Sequence, residues 1–278
     1  MAGVLPYMTA AVDRRRLRRN FSTSAGNYDR HARVQKQVVS LLLDLLSSRC
    51  PQQGSFLDIG CGTGTLACAL SRKRPQLRPV LCDIAHGMTV QARKYLPAAL
   101  AVDAAAEALP FADSSVDLIC SSSVYQWIPH LAGAFAENAR VLKDGGLFAF
   151  ALFGKDTLRE LKAAYRQAAE KLGADAGHLH DLPAQNLVRQ ALAQAGFQQL
   201  ELQRQELVEY HGDVAELLHG LKGIGAGNAN PEAPRGLASR RLLRDMMDIY
   251  RQCYGREGRV PATYEVLFGL AVRPPRQR

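Results

Sequence analysis

The sequence predicts an α/β protein with a mostly parallel sheet that carries helices on both faces. From residue 30 to residue 153, short apolar segments alternate with segments whose apolar residues follow helical spacing. A glycine-rich turn directly follows the first of the apolar segments. Hydrophobic residues make up 47% of the 278 residues and charged residues 22%, which excludes intrinsic disorder and provides for a large core.

The first half of the chain is predicted to contain five strands and the helices between them. Apolar residues at Val34, Val38, Leu42 and Leu45 predict a helix over 30–46. The predicted strands are 56–59, 80–83, 100–103, 116–120 and 147–153, and further helices begin near residues 66, 88 and 131. Ligands bind such sheets beyond the carboxyl ends of the strands, so the last residues of each strand are candidates for a site.

The second half is predicted to close the sheet with two strands and to add a helical lid. The strands are 200–208 and 262–272, and the apolar face of the second is formed by Tyr264, Val266, Phe268, Leu270 and Val272. Helices are predicted over 155–172, 184–195, 213–222 and 237–252. We therefore predict one domain over 21–278, with lid insertions at about 155–182 and 210–258, preceded by a flexible basic arm over 1–20.

The charge of the chain suits an acidic partner. The formal net charge is +9, and arginines cluster within 14–19, 235–244 and 273–278. Such clusters are typical of proteins that meet nucleic acid, an anionic membrane or an acidic protein, and composition does not choose among these. No run of about 18 apolar residues occurs, so no membrane-spanning helix is expected.

Cysteine and histidine spacing does not predict a metal site. None of the six cysteines forms a CxxC pair, so buried free thiols are expected. His178 and His180 precede Asp181 and are interpreted as part of a polar loop. The N-terminus has apolar residues before basic ones, the reverse of a secretory signal, so a cytoplasmic location is expected. Its arginines leave a mitochondrial presequence open.

The strongest local signal is the sequence GCGTG at 60–64, which directly follows a strand ending with Asp58 and Ile59. Glycines allow a tight turn and a close approach of a ligand to the backbone, and the helix that begins there points free N–H groups at the ligand. Asp83 ends the second strand, where a carboxylate accepts hydrogen bonds from ribose hydroxyls. The spacing GxGxG disfavours a dinucleotide site, which uses GxGxxG.

These residues resemble those of class I S-adenosylmethionine-dependent methyltransferases. The resemblance implies a Rossmann-like, seven-stranded and mostly parallel sheet with S-adenosylmethionine as cofactor. It implies that the methionine part is held by Asp58, Gly60, Gly62 and Gly64. It also implies an adenosine site and a methyl-facing loop formed by Asp83, Ile84, Asp103, Ala104 and Ser121. The loop SSSVYQW at 121–127 lacks the Asn/Asp-Pro-Pro-Tyr/Phe motif of enzymes that methylate nucleobase or glutamine nitrogens.

Five further segments resemble the malonyl-[acyl-carrier protein] O-methyltransferase (BioC) family of biotin synthesis. They are FSTSAGNY at 21–28, QW at 126–127, LFG with TLREL within 152–161, LKGIGA at 221–226 and VPATYEV at 260–266. The resemblance covers roughly residues 20–272. It implies methylation of the free carboxylate of a malonyl thioester on acyl carrier protein. The acidic recognition helix of the carrier would meet a basic surface, and neither nucleic acid nor membrane would be a partner.

A carboxylate is ionised near neutral pH, so this reaction needs alignment and exclusion of water rather than a general base. Candidates for orienting the malonyl carboxylate or forming the site wall are Tyr28, Gln126, Trp127, Lys222 and an arginine such as Arg240 or Arg244. Each has a structural alternative: a hydrophobic anchor for Tyr28, core packing for Trp127, a helix cap for Lys222 and a solvated helix face for the arginines. The sequence GAGN at 225–228 is either a phosphopantetheine cradle or a loop after a helix.

Four other functions remain open at this point. A mitochondrial complex I assembly factor that hydroxylates an arginine resembles this family, and the arginine-rich start would then be a presequence. An RNA methyltransferase would use the positive charge, although no RNA-binding module is visible. A small-molecule methyltransferase or a non-catalytic cofactor-binding protein would retain the same glycine-rich motif. The sequence does not determine the oligomeric state.

Overall fold

A seven-stranded sheet forms the centre of the computed structural model, which describes residues 13–174, 181–226 and 237–275. Its strands are β1 (Gly54–Ile59), β2 (Leu77–Asp83), β3 (Leu100–Asp103), β4 (Val116–Ser122), β5 (Leu142–Phe153), β6 (Gln198–His211) and β7 (Val260–Val272). The order in the sheet is β3-β2-β1-β4-β5-β7-β6. The first five strands are parallel, and β7 runs antiparallel between β5 and β6. The predicted fold class is confirmed.

Ten α-helices are described in these residues. They are α1 (Arg14–Ser24), α2 (Tyr28–His31), α3 (Arg33–Leu46), α4 (Thr65–Lys73), α5 (His86–Tyr95), α6 (Leu131–Val141), α7 (Arg159–Lys171), α8 (Gln185–Gln194), α9 (Val214–Gly223) and α10 (Leu237–Tyr254). A short 3₁₀ helix covers Tyr125–Trp127. Strand–helix alternation from β1 to β5 places the helices on both faces of the sheet, as the sequence predicts.

Two apolar clusters fill the two faces of the sheet. Because successive side chains of a strand point to opposite faces, Phe56 belongs to one cluster and Leu57 to the other. Residues of α3, α4, α7 and α10 share the cluster of Phe56, and residues of α6 and α8 share the cluster of Leu57. Strand β7 is buried along nearly its whole length, with Val266 and Leu267 in different clusters. The sequence predicted one apolar face for this strand, but its position between β5 and β6 covers both.

The flexible arm predicted over 1–20 is wrong for its described part, since residues 14–20 belong to helix α1. The carboxylate of Asp13 caps this helix by accepting from the backbone N–H groups of Arg15 and Arg16 at 2.9 and 3.0 Å. Leu17 is buried, and the backbone N–H of Gly87 donates to the Ser22 hydroxyl at 2.8 Å, which fixes α1 on α5. Residues 1–12 lie outside the described residues.

The predicted lid segments contain helices that mostly cover the sheet. Helices α7 and α10 pack against each other and against β7, and Ala168 and Met246 lie in the same buried cluster as Val266. The apolar side chains on one face of each helix are removed from water by packing against the apolar face of the sheet. Helix α9 contacts α2 in the N-terminal segment. Residues 175–180 and 227–236 of the two segments lie outside the described residues.

Helix α7 begins at residue 159 rather than at the predicted 155, because the preceding residues bond to β7. The backbone N–H of Leu158 donates to the Thr263 carbonyl at 2.6 Å, and the Thr157 hydroxyl donates to the Glu265 carbonyl at 3.0 Å. Residues 144–146 precede the predicted strand 147–153 but belong to β5, whose register with β4 shifts in this region. There, the Gly145 N–H donates to the Arg273 carbonyl at 2.9 Å.

The buried hydroxyl of Tyr125 gives a first prediction, on stability. Tyr125 begins the 3₁₀ helix, packs against Phe135, Phe148 and Phe150, and accepts a 2.6 Å hydrogen bond from the Asn138 amide. Tyr125→Phe leaves that buried amide without its acceptor, so the free energy of unfolding should fall by about 1–3 kcal/mol in urea titrations. The double variant Tyr125→Phe/Asn138→Leu removes both partners and should recover part of the loss. An unchanged single variant would contradict this account.

Candidate functional site

Two adjoining cavities lie at the carboxyl ends of β1, β2 and β4, the edge of the sheet at which the sequence predicts a site. The first is lined by α2, α3, the end of β1 and the glycine-rich loop. The second is lined by α1, the ends of β1 and β2, residues 104–107, residues 122–124 and residues 127–128. Four residues line both cavities: Tyr28, Gly60, Gly62 and Ser122. The two cavities therefore form one elongated site across the glycine-rich loop.

The glycine-rich loop takes a backbone path that other residues rarely adopt. Its glycines all have positive φ angles, +65° at Gly60, +52° at Gly62 and +88° at Gly64. A Cβ atom at Gly60 would lie 2.1 Å from a methyl carbon of Val124, so this position also requires the absence of a side chain. Gly64 precedes the first turn of α4, whose free N–H groups face the loop. The loop is a built site for an anionic or polar ligand.

Asp83 holds the glycine-rich loop from the neighbouring strand. One carboxylate oxygen accepts from the Gly62 N–H at 3.0 Å, and the other accepts from the Ala85 N–H at 2.8 Å. Burial raises the pKa of Asp83 to about 6, while the two backbone donors and that of Ile84 act in the opposite direction. Asp83 also lines the second cavity. The carboxylate is thus ionised near neutral pH and has acceptor capacity for a hydroxyl-bearing ligand.

Asp58 is the least solvated acid of the site. Only 1% of its surface is exposed, and it lines the first cavity. Burial and, to a smaller extent, the charge of Asp83 raise the pKa of Asp58 to about 8. Its Oδ2 atom is buried without a hydrogen-bond partner among the described residues. A buried acceptor of this kind is costly unless a ligand satisfies it, and a cationic ligand group would favour its ionised form.

The third strand contributes less to the site than the sequence predicts. Ile84 and Ala104 line the second cavity, but Asp103 is not among the lining residues. The carboxylate of Asp103 instead interacts with His86 Nδ1 and accepts from the Thr89 hydroxyl, both at 2.6 Å. Those partners belong to α5, which begins shortly after β2. Both carboxylate oxygens of Asp103 therefore interact with the protein itself.

In the loop after β4, the cavity is lined by the residues that follow Ser121 rather than by Ser121. Its hydroxyl is fully buried and donates to the Ile59 carbonyl at 2.8 Å, which ties β4 to β1. Ser122, Ser123 and Val124 line the second cavity. Gln126 is buried, its amide donates to the Ser123 carbonyl at 2.8 Å, and it lines neither cavity. Ser122 lines the cavity and Ser121 does not, because successive side chains of β4 point to opposite faces of the sheet.

Trp127 forms a wall of the second cavity together with the N-terminal segment. Its ring meets that of Phe21 edge-to-face, with centroids 6.0 Å apart. Arg14 and Leu17 of α1 line the same cavity, and Arg14 forms an ion pair with Glu107 across it. Helix α1 was not predicted from the sequence. The signal was present, because positions 14, 17 and 21 are spaced by three and four residues and share one helical face.

Tyr28 lies where the two cavities meet and lines both of them. Burial, followed by the charges of Asp83 and Asp29, raises the pKa of its phenol, so it remains a hydrogen-bond donor at neutral pH. The neighbouring Asp29 accepts a 2.8 Å hydrogen bond from the hydroxyl of buried Thr63 in the glycine-rich loop. Helix α2 is thereby fastened to the loop that it covers.

With this geometry established, comparison with known proteins identifies the family. A family model described as a methyltransferase domain matches residues 57–150. A malonyl-[acyl-carrier protein] O-methyltransferase of Geobacter sulfurreducens is 44% identical over 268 residues, which cover 94% of this chain and 100% of the relative. This chain belongs to the malonyl-[acyl-carrier protein] O-methyltransferase family. A second member, from Methylovorus sp., is 37% identical over 95% of this chain and 90% of its own length.

Solved structures show the same fold as this family member. The YcgJ protein of Bacillus subtilis has a TM-score of 0.58 at 17% identity, covering 86% of this chain and 99% of its own. Phosphoethanolamine N-methyltransferase 2 of Haemonchus contortus, solved in complex with S-adenosyl-L-methionine, has a TM-score of 0.53 at 18% identity. That match covers 85% of this chain and 53% of the nematode enzyme. The class I methyltransferase architecture is therefore confirmed.

Two of the segments that resemble the family brace the sheet. The carboxylate of Glu160 accepts from the backbone N–H of Thr263 at 3.2 Å and also from its hydroxyl. The carboxylate of Glu265 forms an ion pair with Arg204 at 2.6 Å. Both Glu160 and Glu265 are buried, as is Thr157 of the first segment. Segments TLREL and VPATYEV thus fix the connection from β5 to α7 against β7 and do not line either cavity.

The segment LKGIGA at 221–226 packs against the N-terminal helices. A Cβ atom at Gly223 would lie 2.4 Å from the ring of His31, and one at Gly225 would lie 3.1 Å from the ring of Phe21. Lys222 is exposed in the last turn of α9 and lines neither cavity, which agrees with the helix-end alternative. Arg240 and Arg244 are likewise exposed on α10 and line neither cavity. Of the predicted cradle GAGN, residues 227 and 228 lie outside the described residues.

The residues that the structure describes were predicted to contain neither a metal site nor a membrane-spanning helix. Among them, no three His, Cys, Asp or Glu residues are grouped so as to hold a metal ion. His178 and His180 lie outside the described residues. All six cysteines are free. Cys50, Cys61, Cys82 and Cys120 are buried as predicted, whereas Cys68 is half-buried and Cys253 is exposed. No helix within the described residues has both the length and the apolar composition to cross a membrane.

Proposed function

We propose that this chain transfers a methyl group from S-adenosylmethionine to the free carboxylate of a malonyl group carried by acyl carrier protein. The observation that carries the proposal is the 44% identity with a malonyl-[acyl-carrier protein] O-methyltransferase over the whole length of that relative. The site supports it, because the two cavities join at the glycine-rich loop and at Tyr28. The product would be a methyl ester, in which the charge of the malonyl carboxylate is removed.

The residues present fit S-adenosylmethionine. Asp58 has an unsatisfied buried oxygen on the first cavity, where a cationic ligand group would satisfy it. Asp83 is positioned on the second cavity as an acceptor for hydroxyl groups, beside apolar Ile84 and Met88. When bound, the cofactor supplies an electrophilic methyl group on a sulfonium sulfur. Asp58 would hold its methionine part, and Asp83 with Ile84 and Ala104 would hold its adenosine part.

The residues around the joined cavities have two tasks in this reaction. The malonyl carboxylate is already ionised near pH 7, so no residue has to remove a proton from it. Phe21 and Trp127 exclude water from the second cavity, which strengthens electrostatic interactions inside it. The Tyr28 phenol remains protonated and donates a hydrogen bond that orients the carboxylate. A single neutral donor aligns the nucleophile without neutralising it.

The decisive experiment incubates the protein with methyl-labelled S-adenosylmethionine and malonyl-acyl carrier protein, with acetyl-acyl carrier protein as the matched control. Base-labile label on the malonyl substrate alone is the expected result. Label on neither substrate, with the cofactor bound, would overturn the proposal. Both relatives carry the O-methyltransferase name over nine-tenths or more of their own length, which supports methyl transfer over arginine hydroxylation.

The raised pKa of Asp58 predicts that cofactor binding depends on pH. With a pKa of about 8, the carboxyl group is mostly neutral at pH 6.5, and a cationic ligand must ionise it. Affinity for S-adenosylmethionine should therefore rise between pH 6.5 and pH 8.5 by up to about tenfold per pH unit below the pKa. Titration calorimetry in buffers of different ionisation enthalpy should show release of a proton. Asp58→Asn should bind more weakly with this pH dependence lost, and an equally steep dependence in that variant would exclude Asp58 as its source.

A comparison of Tyr28→Phe with Lys222→Ala tests the role proposed for Tyr28. Removal of the Tyr28 hydroxyl should lower kcat for malonyl-acyl carrier protein about tenfold, because one orienting hydrogen bond is lost. The dissociation constant for S-adenosylmethionine should change less than about threefold, since the ring remains in place. Lys222→Ala should leave both quantities unchanged, because Lys222 is exposed outside the cavities. Equal kcat values for both variants would remove Tyr28 from the mechanism.

A further inference from the structure

The three arginine clusters of the sequence differ in how their charge is compensated. Arg273 of the C-terminal cluster is only 5% exposed, donates to the Ser114 hydroxyl at 2.9 Å and forms an ion pair with Asp144. On α10, Arg241 and Arg244 both lie within 4 Å of Asp245, at 3.8 and 3.7 Å. Arg273 is thus buried, and Arg241 and Arg244 share an acid of their own helix.

Three arginines of helix α1 are exposed and have no ion-pair partner among the described residues. They are Arg15, Arg18 and Arg19. The helix itself contains no acidic residue, and Asp13, which precedes it, caps the backbone. Three neighbouring arginines of this kind repel one another and produce a positive potential over the surface. An acidic partner would relieve that repulsion.

This charged surface is attached to the wall of the site. Arg14, Leu17 and Phe21, on another face of the same helix, line the second cavity. Helix α1 is fixed on α5 by the hydrogen bond from the Gly87 N–H to the Ser22 hydroxyl at 2.8 Å. A protein seated on Arg15, Arg18 and Arg19 would therefore lie beside the cavity into which its acyl group must extend.

We propose that Arg15, Arg18 and Arg19 of α1 form the docking surface for the acidic carrier protein that bears the malonyl group. This inference rests on the proposed function and assigns the partner to one of the three basic clusters. Opposite charges of this kind accelerate encounter, and their effect falls as salt rises. Salt should therefore weaken carrier binding through this surface and leave cofactor binding largely unchanged.

The test uses a charge-reversed variant, Arg15→Glu/Arg18→Glu/Arg19→Glu, and a matched control with the same change in net charge. The control is Arg72→Glu/Arg78→Glu/Arg93→Glu, which changes three exposed arginines near the C-terminal ends of α4 and α5 and the start of β2. In a parallel α/β sheet these positions lie at the edge opposite the site. Holo-acyl carrier protein binding is measured by fluorescence anisotropy, together with kcat/KM for malonyl-acyl carrier protein and for a small malonyl thioester.

The α1 variant is expected to bind the carrier at least about tenfold more weakly than wild type, and the control variant less than about threefold. Turnover of the small thioester and the dissociation constant for S-adenosylmethionine should be equal in all three proteins. Unchanged carrier binding in the α1 variant, or equal losses in the two variants, would overturn the inference. If the α1 variant also loses cofactor binding, the neutral variant Arg15→Gln/Arg18→Gln/Arg19→Gln decides by the same comparison.

Failure of the proposed function would look different from failure of this inference. A wild-type protein that binds the carrier through α1 but transfers no methyl group would refute the reaction and leave the surface in place. A charge-reversed α1 variant that methylates malonyl-acyl carrier protein as well as the wild-type protein does would refute the surface alone.

Discussion

Replacing Asp83 with Asn should raise the dissociation constant for S-adenosylmethionine about a hundredfold. The two carboxylate oxygens of Asp83 each accept a backbone N–H, from Gly62 and from Ala85. An asparagine has only one oxygen, so its amide nitrogen must face one of these donors and displace the glycine-rich loop. Loss of a charged acceptor together with a loop contact costs about 3 kcal/mol, which corresponds to two orders of magnitude in affinity.

Asp103→Asn is the matched control for this change, because the same substitution occurs at the end of the next strand. The Asp103 carboxylate is already engaged by His86 and Thr89 and does not line the second cavity. An asparagine can accept from the Thr89 hydroxyl and donate to a neutral His86 ring, so affinity should change less than about threefold. Calorimetric titration of both variants measures the difference. Equal losses would show that Asp103 binds the cofactor after all.

Gly60→Ala should abolish measurable cofactor binding. The new Cβ would lie 2.1 Å from a methyl carbon of Val124, and the φ angle of +65° is unfavourable for alanine. The left-handed conformation alone costs about 1–2 kcal/mol, and the contact adds displacement of a loop that lines both cavities. The double variant Gly60→Ala/Val124→Ala removes the contact and retains the backbone strain. It should recover binding to within about tenfold of wild type.

Gly145→Ala separates strain from contact. Gly145 has a φ angle of +76°, but a Cβ atom there would meet nothing within 4 Å. This variant should lose about 1–2 kcal/mol of unfolding free energy and bind S-adenosylmethionine like wild type. Thermal unfolding and calorimetry distinguish the two effects. A similar loss of binding in Gly145→Ala would mean that general destabilisation, rather than the Val124 contact, explains the Gly60 variant.

The N-terminal segment contributes to the cofactor site, to the proposed orientation of the malonyl carboxylate and to the proposed docking of the carrier protein. Phe21 and Tyr28 line the second cavity, and Asp29 bonds to Thr63 in the glycine-rich loop. The segment at 221–226 packs against Phe21 and His31 from outside. This arrangement explains why segments far apart in the chain carried the resemblance to the family. Some of them build the site, and others hold the N-terminal helices against it.

The sheet, the glycine-rich loop and the family resemblance could all be predicted from the amino-acid sequence. Apolar spacing and the position of GCGTG are local properties, and parallel strands bring their carboxyl ends to one edge whatever their loops do. This was sufficient to find Asp58, Gly60, Asp83 and Ala104. The five family segments pointed to the same O-methyltransferase family that the relatives establish.

Which side chains at that edge face the cavities depends on contacts between elements that are distant in the sequence. Asp103 ends its strand as Asp83 does, but α5 supplies its partners, and one step of strand alternation gives the cavity Ser122 in place of Ser121. Helix α1 escaped prediction because its five arginines resemble a solvated arm. The helix is stabilised by Leu17 and Phe21, which pack at the wall of the second cavity. Contacts between distant segments determine these outcomes, and local spacing does not encode them.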